Sequence, residues 1–432
     1  MNREFLSNLI CPHCGKGLTV ATILTSSDEE SLRDAVVTCE CSMYPIVEGI
    51  LVLNRTTNTR MAVDLLLRKK PRHALVALMN PYGSEVSHHL IERSHQRRTF
   101  FELIDLLQWG NWGDYLKYRF SSPTLLIVAP FLRFFSSTQK LVLDVGCGAG
   151  HLSFILSKVI SGDRIVGIDQ NFVSLLLAKL KIMKGANYIC LDANDLLPFK
   201  DHIFSIAVSL DAFHYMDSKS LLVSELARSL DPSGIVLLLH LHNSLQFNVS
   251  AGKSLSSAQY LRLFRDMTCS IFPERWILQS FVTNNELDLS RKFRSQEVNK
   301  SDALALIASK TRMRRLKLTN VTLEFMKQVG DIVINPLYMK PIRSGNRIRL
   351  NLKFPSKTYG NEYGSYYGSY LPISFDIDFD IWKLLKTNGT SLSASMHAMG
   401  PCGKIDPSEF RYFIRNLLLI DVPKGYLKNV NQ

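Results

Sequence analysis

The chain has 432 residues, 46% of them hydrophobic, with 51 Lys and Arg against 38 Asp and Glu for a formal net charge of +13. That length exceeds one ordinary core and predicts two to four domains of about 100 to 200 residues each, while the apolar content excludes a disordered chain. The greasiest run, Thr124 to Phe135, is interrupted by Pro130 and Arg133 and is shorter than the roughly 20 residues a bilayer span needs, so no transmembrane segment is expected.

Met1 to Ile10 carries charges around Phe5-Leu6 and lacks an apolar secretion core, which predicts a cytoplasmic protein. Cys11-Pro12-His13-Cys14 and Cys39-Glu40-Cys41 then bracket 24 residues. Paired thiols in a reducing compartment argue for a metal before a disulfide. A Cys-x-x-Cys turn aims both sulfurs at one ion, and the single residue between Cys39 and Cys41 leaves them on one face of an extended segment. Cys11, Cys14, Cys39 and Cys41 are thus a candidate tetrahedral zinc site, with bonds of about 2.3 Å and no open position for catalysis. The alternatives are a ribbon that folds without metal, or one in which His13 replaces a ligand. The stretch Ser42 to Leu53 resembles the zinc-ribbon family of small methyltransferase-activating proteins, which also occurs fused to bacterial methyltransferases. Residues 1–55 are read as a zinc-ribbon-like domain.

Residues 56–137 read as a helical linker or cap, with apolar faces at Leu65-Leu66-Leu67, His95 to Leu107 and Tyr115 to Phe135 broken at prolines 71, 81 and 123. His88, Glu92 and His95 fall near one helical face, but nothing supplies further ligands or a His-Glu-x-x-His spacing, so no metal is expected there.

Leu141 to Gly150, Leu-Val-Leu-Asp-Val-Gly-Cys-Gly-Ala-Gly, is an apolar strand ending in three alternating glycines. Such a turn lets bare backbone approach a ligand at the start of a helix. Three more strands follow, ending at Asp169, Asp192 and Asp211. Acids at the carboxyl edge of a parallel sheet suit ribose hydroxyls, an adenine amine and a positive centre. The segments LVLDVGCGAGHLSF, IVGIDQNF, CLDANDLLPF and FSIAVSLDAFHYM closely resemble class I S-adenosyl-L-methionine-dependent methyltransferases with a type 11-like core, over residues 138–243. The resemblance implies an α/β Rossmann-like sheet with helices on both faces. It implies that Gly146, Gly148 and Gly150 line the methionine end, with Cys147 a small residue inside the turn rather than a nucleophile. It further implies that Asp144 holds the ammonium through water and Asp169, followed by Gln170, accepts both ribose hydroxyls. Asp192 would take the adenine amine with Ala193 beside it, and Ser209 would close the methyl-transfer edge. Tyr115, Tyr118 and Arg119 become candidates to cover the methionine moiety, core packing being the other reading. A nicotinamide enzyme using Asp169 for ribose is the alternative.

Polar runs from Asn243 to Ser257 suggest that residues 244–330 are a variable substrate-region insertion. Residues 331–432 read as a C-terminal α+β extension of strands and turns, including the Tyr/Gly run Tyr359 to Tyr370. Its tyrosines could stack on sugars or bases, or pack within the tail. Arg291 to Lys357 holds sixteen Lys or Arg against four acids, whereas the first 53 residues hold three against seven. Such a basic stretch suits phosphates, and equally a solvated surface.

A sulfonium is an activated leaving group, so methyl transfer needs chiefly an oriented nucleophile and exclusion of water. If the acceptor is a hydroxyl or amine, His214 is the first candidate base, with His240 and His242 behind it. The expected function is methyl transfer to an O, N or C nucleophile of a small metabolite or a carbohydrate- or lipid-linked intermediate. The alternatives are an RNA methyltransferase, which the acidic ribbon disfavours, and a non-catalytic cofactor-binding scaffold. Acceptor and oligomeric state stay open.

Overall fold

The computed structural model describes residues 1–26, 30–79, 98–250, 252–311, 317–388 and 407–427. His88, Glu92 and His95, together with Arg312, Arg314 and Arg315 of the basic stretch, lie outside the described residues. The chain forms two compact units, one made of residues 1–94, 133–277 and 288–318, the other of 95–132, 278–287 and 319–432.

The first unit is built on one sheet of 11 strands. Four come from the N-terminal region: Thr19–Thr25 (β1), Asp34–Thr38 (β2), Met43–Val47 (β3) and Ile50–Val52 (β4). Five follow the glycine-loop pattern: Leu141–Val145 (β5), Ile165–Asp169 (β6), Asn187–Cys190 (β7), Phe204–Leu210 (β8) and Leu230–His242 (β9). Thr268–Pro273 (β10) and Ala303–Ser309 (β11) finish it. The spatial order is β1-β2-β3-β4-β7-β6-β5-β8-β9-β11-β10. From β4 to β9 all pairings are parallel, and β11 runs antiparallel to both β9 and β10. The chain steps from β5 to β6 on one side and later to β8 on the other, so the order reverses at β5. A crevice opens outside the carboxyl ends at such a switch point, and this is what positions the site.

Continuous apolar runs explain the central strands. Val142-Leu143, Ile165-Val166 and Val236 to Leu239 are buried throughout, as parallel strands covered on both faces must be. The same logic draws the N-terminal region into the sheet. Ile50, Leu51 and Val52 are buried, and β4 pairs in parallel register with β7, Ile50 opposite Tyr188 and Val52 opposite Cys190. The Ile10 amide donates to the Pro198 carbonyl at 3.0 Å and the Lys200 amide to that of Asn8 at 3.0 Å. Phe5, Leu6, Tyr44 and Ile46 share one core cluster with Leu143 and Ile168. The Cys-bearing N-terminal region is therefore the edge of this sheet. At the other edge, the buried run Ala303 to Ser309 lies between β9 and β10. Residues 244–330, read from their polar runs as a variable insertion, thus contain two strands that complete the sheet.

In the second unit Asp331–Ile334 pairs with Leu419–Val422, and Tyr338–Ser344, Arg347–Leu352 and Ser374–Asp378 form a three-stranded sheet. The Tyr/Gly run is a helix, Lys357–Gly368, capped by the Ser356 hydroxyl accepting from the Tyr359 amide. Tyr359, Tyr363 and Tyr367 recur every four residues on one face, and the hydroxyls of Tyr359 and Tyr367 hydrogen-bond at 2.8 Å. Gly360 and Gly364 sit against Phe354, where an added Cβ would lie 3.3 and 3.2 Å from its ring. Tyr118 meets the Tyr359 ring edge-on at 5.8 Å and Arg119 lies over Tyr115 at 4.9 Å, so these residues pack within the tail unit. Among the described residues no helix is long and apolar enough to cross a membrane.

Candidate active site and cysteine cluster

The turn after β5 holds Gly146, Gly148 and Gly150, all with positive φ. A Cβ on Gly146 would fall 2.5 Å from that of Ala212, whereas one on Gly148 would meet nothing within 4 Å. Gly146 is thus required by packing, while the Gly148 backbone faces open space. The Gly148 amide donates to Asp169 Oδ2 at 2.9 Å, and the Asn171 amide donates to Oδ1 at 2.8 Å. Gln170, beside it, is exposed. A cleft of about 340 Å³ is lined by Gln170, Asn171, Asn54 and Cys190 among others. Cys147 is buried, and burial pushes its thiol pKa well up, so no thiolate is available there.

Asp192 Oδ1 accepts from both the amide and the side-chain amide of Asn194 at 2.9 Å, and its own amide donates to Asn54 Oδ1 at 2.9 Å. Asn54 follows β4, so the N-terminal region braces this strand end, a link that sequence spacing did not reveal. Ala193 is buried beside it. Two of the expected cofactor residues have buried side chains. Asp144 is only 1% exposed, accepts from the Ser153 hydroxyl at 2.9 Å, and is pushed by burial up to about 7. It sits behind the loop, held by the Ser153 hydroxyl on the helix that follows the turn. Ser209 is likewise buried, its hydroxyl donating to the Val145 carbonyl at 3.0 Å, so it ties β8 to β5.

The carboxyl ends of β8 and β9 bring together four groups. Asp211 Oδ1 lies 3.8 Å from His214 Nε2, 3.9 Å from His240 Nε2 and 4.0 Å from His242 Nε2. His240 Nδ1 is 3.0 Å from both carboxylate oxygens of the buried Glu274, and His242 Nδ1 is 2.6 Å from the Ser250 hydroxyl. His214 stacks on His242 with ring centroids 3.8 Å apart. His214 is 0% exposed and burial drives its imidazole down to about 2. The first candidate base is therefore shut off from solvent, whereas Asp211, His240 and His242 keep 11 to 13% side-chain exposure. Sequence reasoning noted Asp211 only as a strand end and missed Glu274, whose signal was a lone acid in the apolar run Ser270 to Leu278.

At the other edge, Cys11, Cys14, Cys39 and Cys41 place their sulfurs within 4.8 Å of one another. Cys41 Sγ lies 3.6 Å from both Cys11 Sγ and Cys39 Sγ. That is far beyond a disulfide bond of about 2.05 Å and close to the roughly 3.8 Å edge of a zinc–tetrathiolate tetrahedron. The His13 amide directed at Cys11 Sγ at 3.4 Å and the Arg55 guanidinium at 2.9 Å from Cys41 Sγ supply hydrogen bonds suited to ligating thiolates. The four residues fit a zinc ribbon.

A parallel sheet that reverses at a glycine loop, with acids at successive strand ends, defines a Rossmann-like domain with its ligand crevice at the switch point. Residues 143–238 match the family described as methyltransferase domain. Over 106 residues the chain is 29% identical to phthiotriol/phenolphthiotriol dimycocerosates methyltransferase 1 of Mycobacterium ulcerans, covering 24% of this chain and 39% of that protein. Over 170 residues it is 29% identical to the chloroplastic tocopherol O-methyltransferase of Arabidopsis thaliana, covering 33% and 47%. The chain thus spans less than half the length of these curated relatives. Among solved structures, an S-adenosylmethionine-dependent methyltransferase from Aquifex aeolicus is similar over 45% of this chain and 97% of that one, at 17% identity and a TM-score of 0.33.

Proposed function

We propose that the chain is an S-adenosyl-L-methionine-dependent methyltransferase whose acceptor is a small metabolite or a lipid- or carbohydrate-linked molecule. The observation that carries this reading is the Gly148–Asp169 hydrogen bond, which holds a carboxylate at the rim of an unobstructed glycine loop. When bound, the cofactor supplies a methyl group already activated on a sulfonium. Asp169, held by the backbone amides of Gly148, Gln170 and Asn171, keeps acceptor capacity for the ribose hydroxyls. Gln170 and Ala193 flank the adenine, Asp192 orients its amine, and the backbone of Gly146 to Gly150 receives the methionine portion. Asp144 and Ser209 act from behind, fixing the loop and the β5–β8 pairing. The acceptor enters at the ends of β8 and β9 and faces Asp211, His240 and His242, with His214 as their packing support. The relatives named for tocopherol and for phthiotriol dimycocerosates support an acceptor of this kind.

The four cysteines hold one structural zinc in this reading, stabilising the edge of the sheet. The basic stretch gives the RNA alternative little support. Arg349 pairs with both oxygens of Asp376 at 2.8 and 2.9 Å, Arg291 covers Phe293 at 4.7 Å, and Arg343 lies over Phe379 at 3.9 Å. The test is incubation of the purified chain with methyl-labelled cofactor and fractionated metabolite and lipid extracts. Label moving to one fraction supports the reading. Cofactor bound without transfer to any fraction would favour a scaffold.

A further inference from the structure

We propose that Asp211, His240 and His242 form a binding site for a divalent first-row transition-metal ion, distinct from the cysteine cluster. Among the described residues they are one of two groups whose ligand atoms all lie within 4.8 Å of one another, the other being the four cysteines.

The hydrogen bonds around the two histidines decide which nitrogen carries the proton. Glu274 is 1% exposed and sets both oxygens 3.0 Å from His240 Nδ1, an acceptor pair that suits a proton on that nitrogen. The Ser250 hydroxyl donates to Asn248 Oδ1 at 2.6 Å, which leaves it an acceptor toward His242 Nδ1. In the neutral form each imidazole then presents the lone pair of Nε2, and the two Nε2 atoms lie 3.9 and 4.0 Å from Asp211 Oδ1. Three such atoms within 4.8 Å of one another form a ligand set that a cation would bridge. Histidines whose second nitrogen is fixed by a carboxylate or hydroxyl are the usual outer shell of metal-binding imidazoles.

A second observation comes from His214. Its ring is fully buried, neither nitrogen has a hydrogen-bond partner, and Nε2 lies 3.8 Å from the same Asp211 oxygen. An unpartnered buried imidazole calls for an explanation, and a nearby ion supplies one. The backbone adds to this. Asp211 and His240 adopt φ of +60° and +53°, and the register of β9 against β11 slips between Leu304 and Leu306, opposite His240. Left-handed φ at residues other than glycine costs of the order of 1–3 kcal/mol and clusters where a side chain must be re-aimed.

Two imidazoles and one carboxylate favour zinc, iron or a related ion over magnesium or calcium, and three protein ligands leave a position open. Only the role of the ion rests on the methyltransferase reading. At the acceptor end of the crevice, an acceptor hydroxyl would bind the open position through oxygen and release its proton to solvent. The oxygen–carbon bond would then form as the carbon–sulfur bond of the sulfonium breaks, with that electron pair going to sulfur.

The test is metal content. The purified full chain is stripped of metal, dialysed against zinc and, in parallel, against cobalt(II), and analysed for ions per chain in wild type, H240Q/H242Q, D211N and C39S/C41S, each checked by circular dichroism. Two ions in wild type, one in each variant, and a thiolate charge-transfer spectrum for the cobalt kept by H240Q/H242Q and D211N are expected. E274Q should bind the second ion 10- to 100-fold more weakly. A single ion in wild type, or two in both H240Q/H242Q and D211N, overturns the proposal. If C39S/C41S does not fold, D211N and the wild-type cobalt spectrum decide alone. Since no methyl transfer is read, failure here leaves the cofactor reading standing, and failure of cofactor binding leaves the ion count intact.

Discussion

The amide of Gly148 and Oδ2 of Asp169, 2.9 Å apart, join the turn after β5 to the end of β6. With Oδ1 taken by the Asn171 amide at 2.8 Å, the carboxylate is fixed by backbone on both oxygens before any ligand arrives. Preorganisation of this kind lowers the ordering cost of binding.

The glycines of the loop separate into two kinds by substitution. Gly146→Ala combines a φ of +70° with a Cβ 2.5 Å from that of Ala212, and should lose about 2–4 kcal/mol of stability by denaturant unfolding. Gly148→Ala meets no atom within 4 Å, so only backbone strain of about 1–2 kcal/mol applies, while its methyl enters the ligand space. Cofactor affinity, read by calorimetry, should fall more than stability does. Equal stability losses in the two variants would contradict the assignment.

With the four cysteines holding zinc as proposed, its removal should be felt beyond the ribbon. Cys41→Ser, or treatment with a strong chelator, is expected to lower stability by several kcal/mol, because structural zinc contributes directly to folding. Since β4 pairs with β7, amide exchange at Ile189 and Cys190 should accelerate as well. Protection there unchanged by chelation would mean that the ribbon and sheet are uncoupled.

Asp144 predicts a pH dependence. Burial holds its folded pKa near 7, above the ordinary carboxylate value of 3.8. The native state thus binds the proton more tightly, and its contribution is complete below the unfolded value and lost as pH rises through the folded one. Asp144→Asn removes this loss. The melting temperature of the variant minus that of wild type should rise between pH 4 and pH 7, by an amount equivalent to a few kcal/mol. A constant difference across that range would show that Asp144 is not destabilised by burial.

The glycine loop and the strand-end acids were legible in the sequence because period and punctuation are local: apolar runs of four to seven residues ending in Gly or Asp. The four cysteines were legible by spacing. What was not legible depends on distant pairing. That Ile50-Leu51-Val52 would lie beside β7 is decided by a partner more than 130 residues later in the chain. The approach of Glu274 to His240 likewise depends on β10 joining the sheet through β11. The Tyr/Gly run was read as strands and turns because glycine argues against helix. The four-residue recurrence of Tyr359, Tyr363 and Tyr367 carried the helical signal, with Phe354 filling the space beside the glycines. Asp144 and Ser209 were assigned to the cofactor by resemblance, whereas long-range hydrogen bonds, to the Ser153 hydroxyl and the Val145 carbonyl, hold their side chains in the interior.

The most direct test is calorimetric titration of wild type and Asp169→Ala with S-adenosyl-L-homocysteine, the demethylated form of the cofactor. Two hydrogen bonds to a charged carboxylate, each contributing about 1.5–3 kcal/mol, predict stoichiometric binding to wild type and a loss of at least 100-fold in the variant, with its circular dichroism unchanged. Absence of binding to wild type, or equal affinity in a folded variant, would contradict the account.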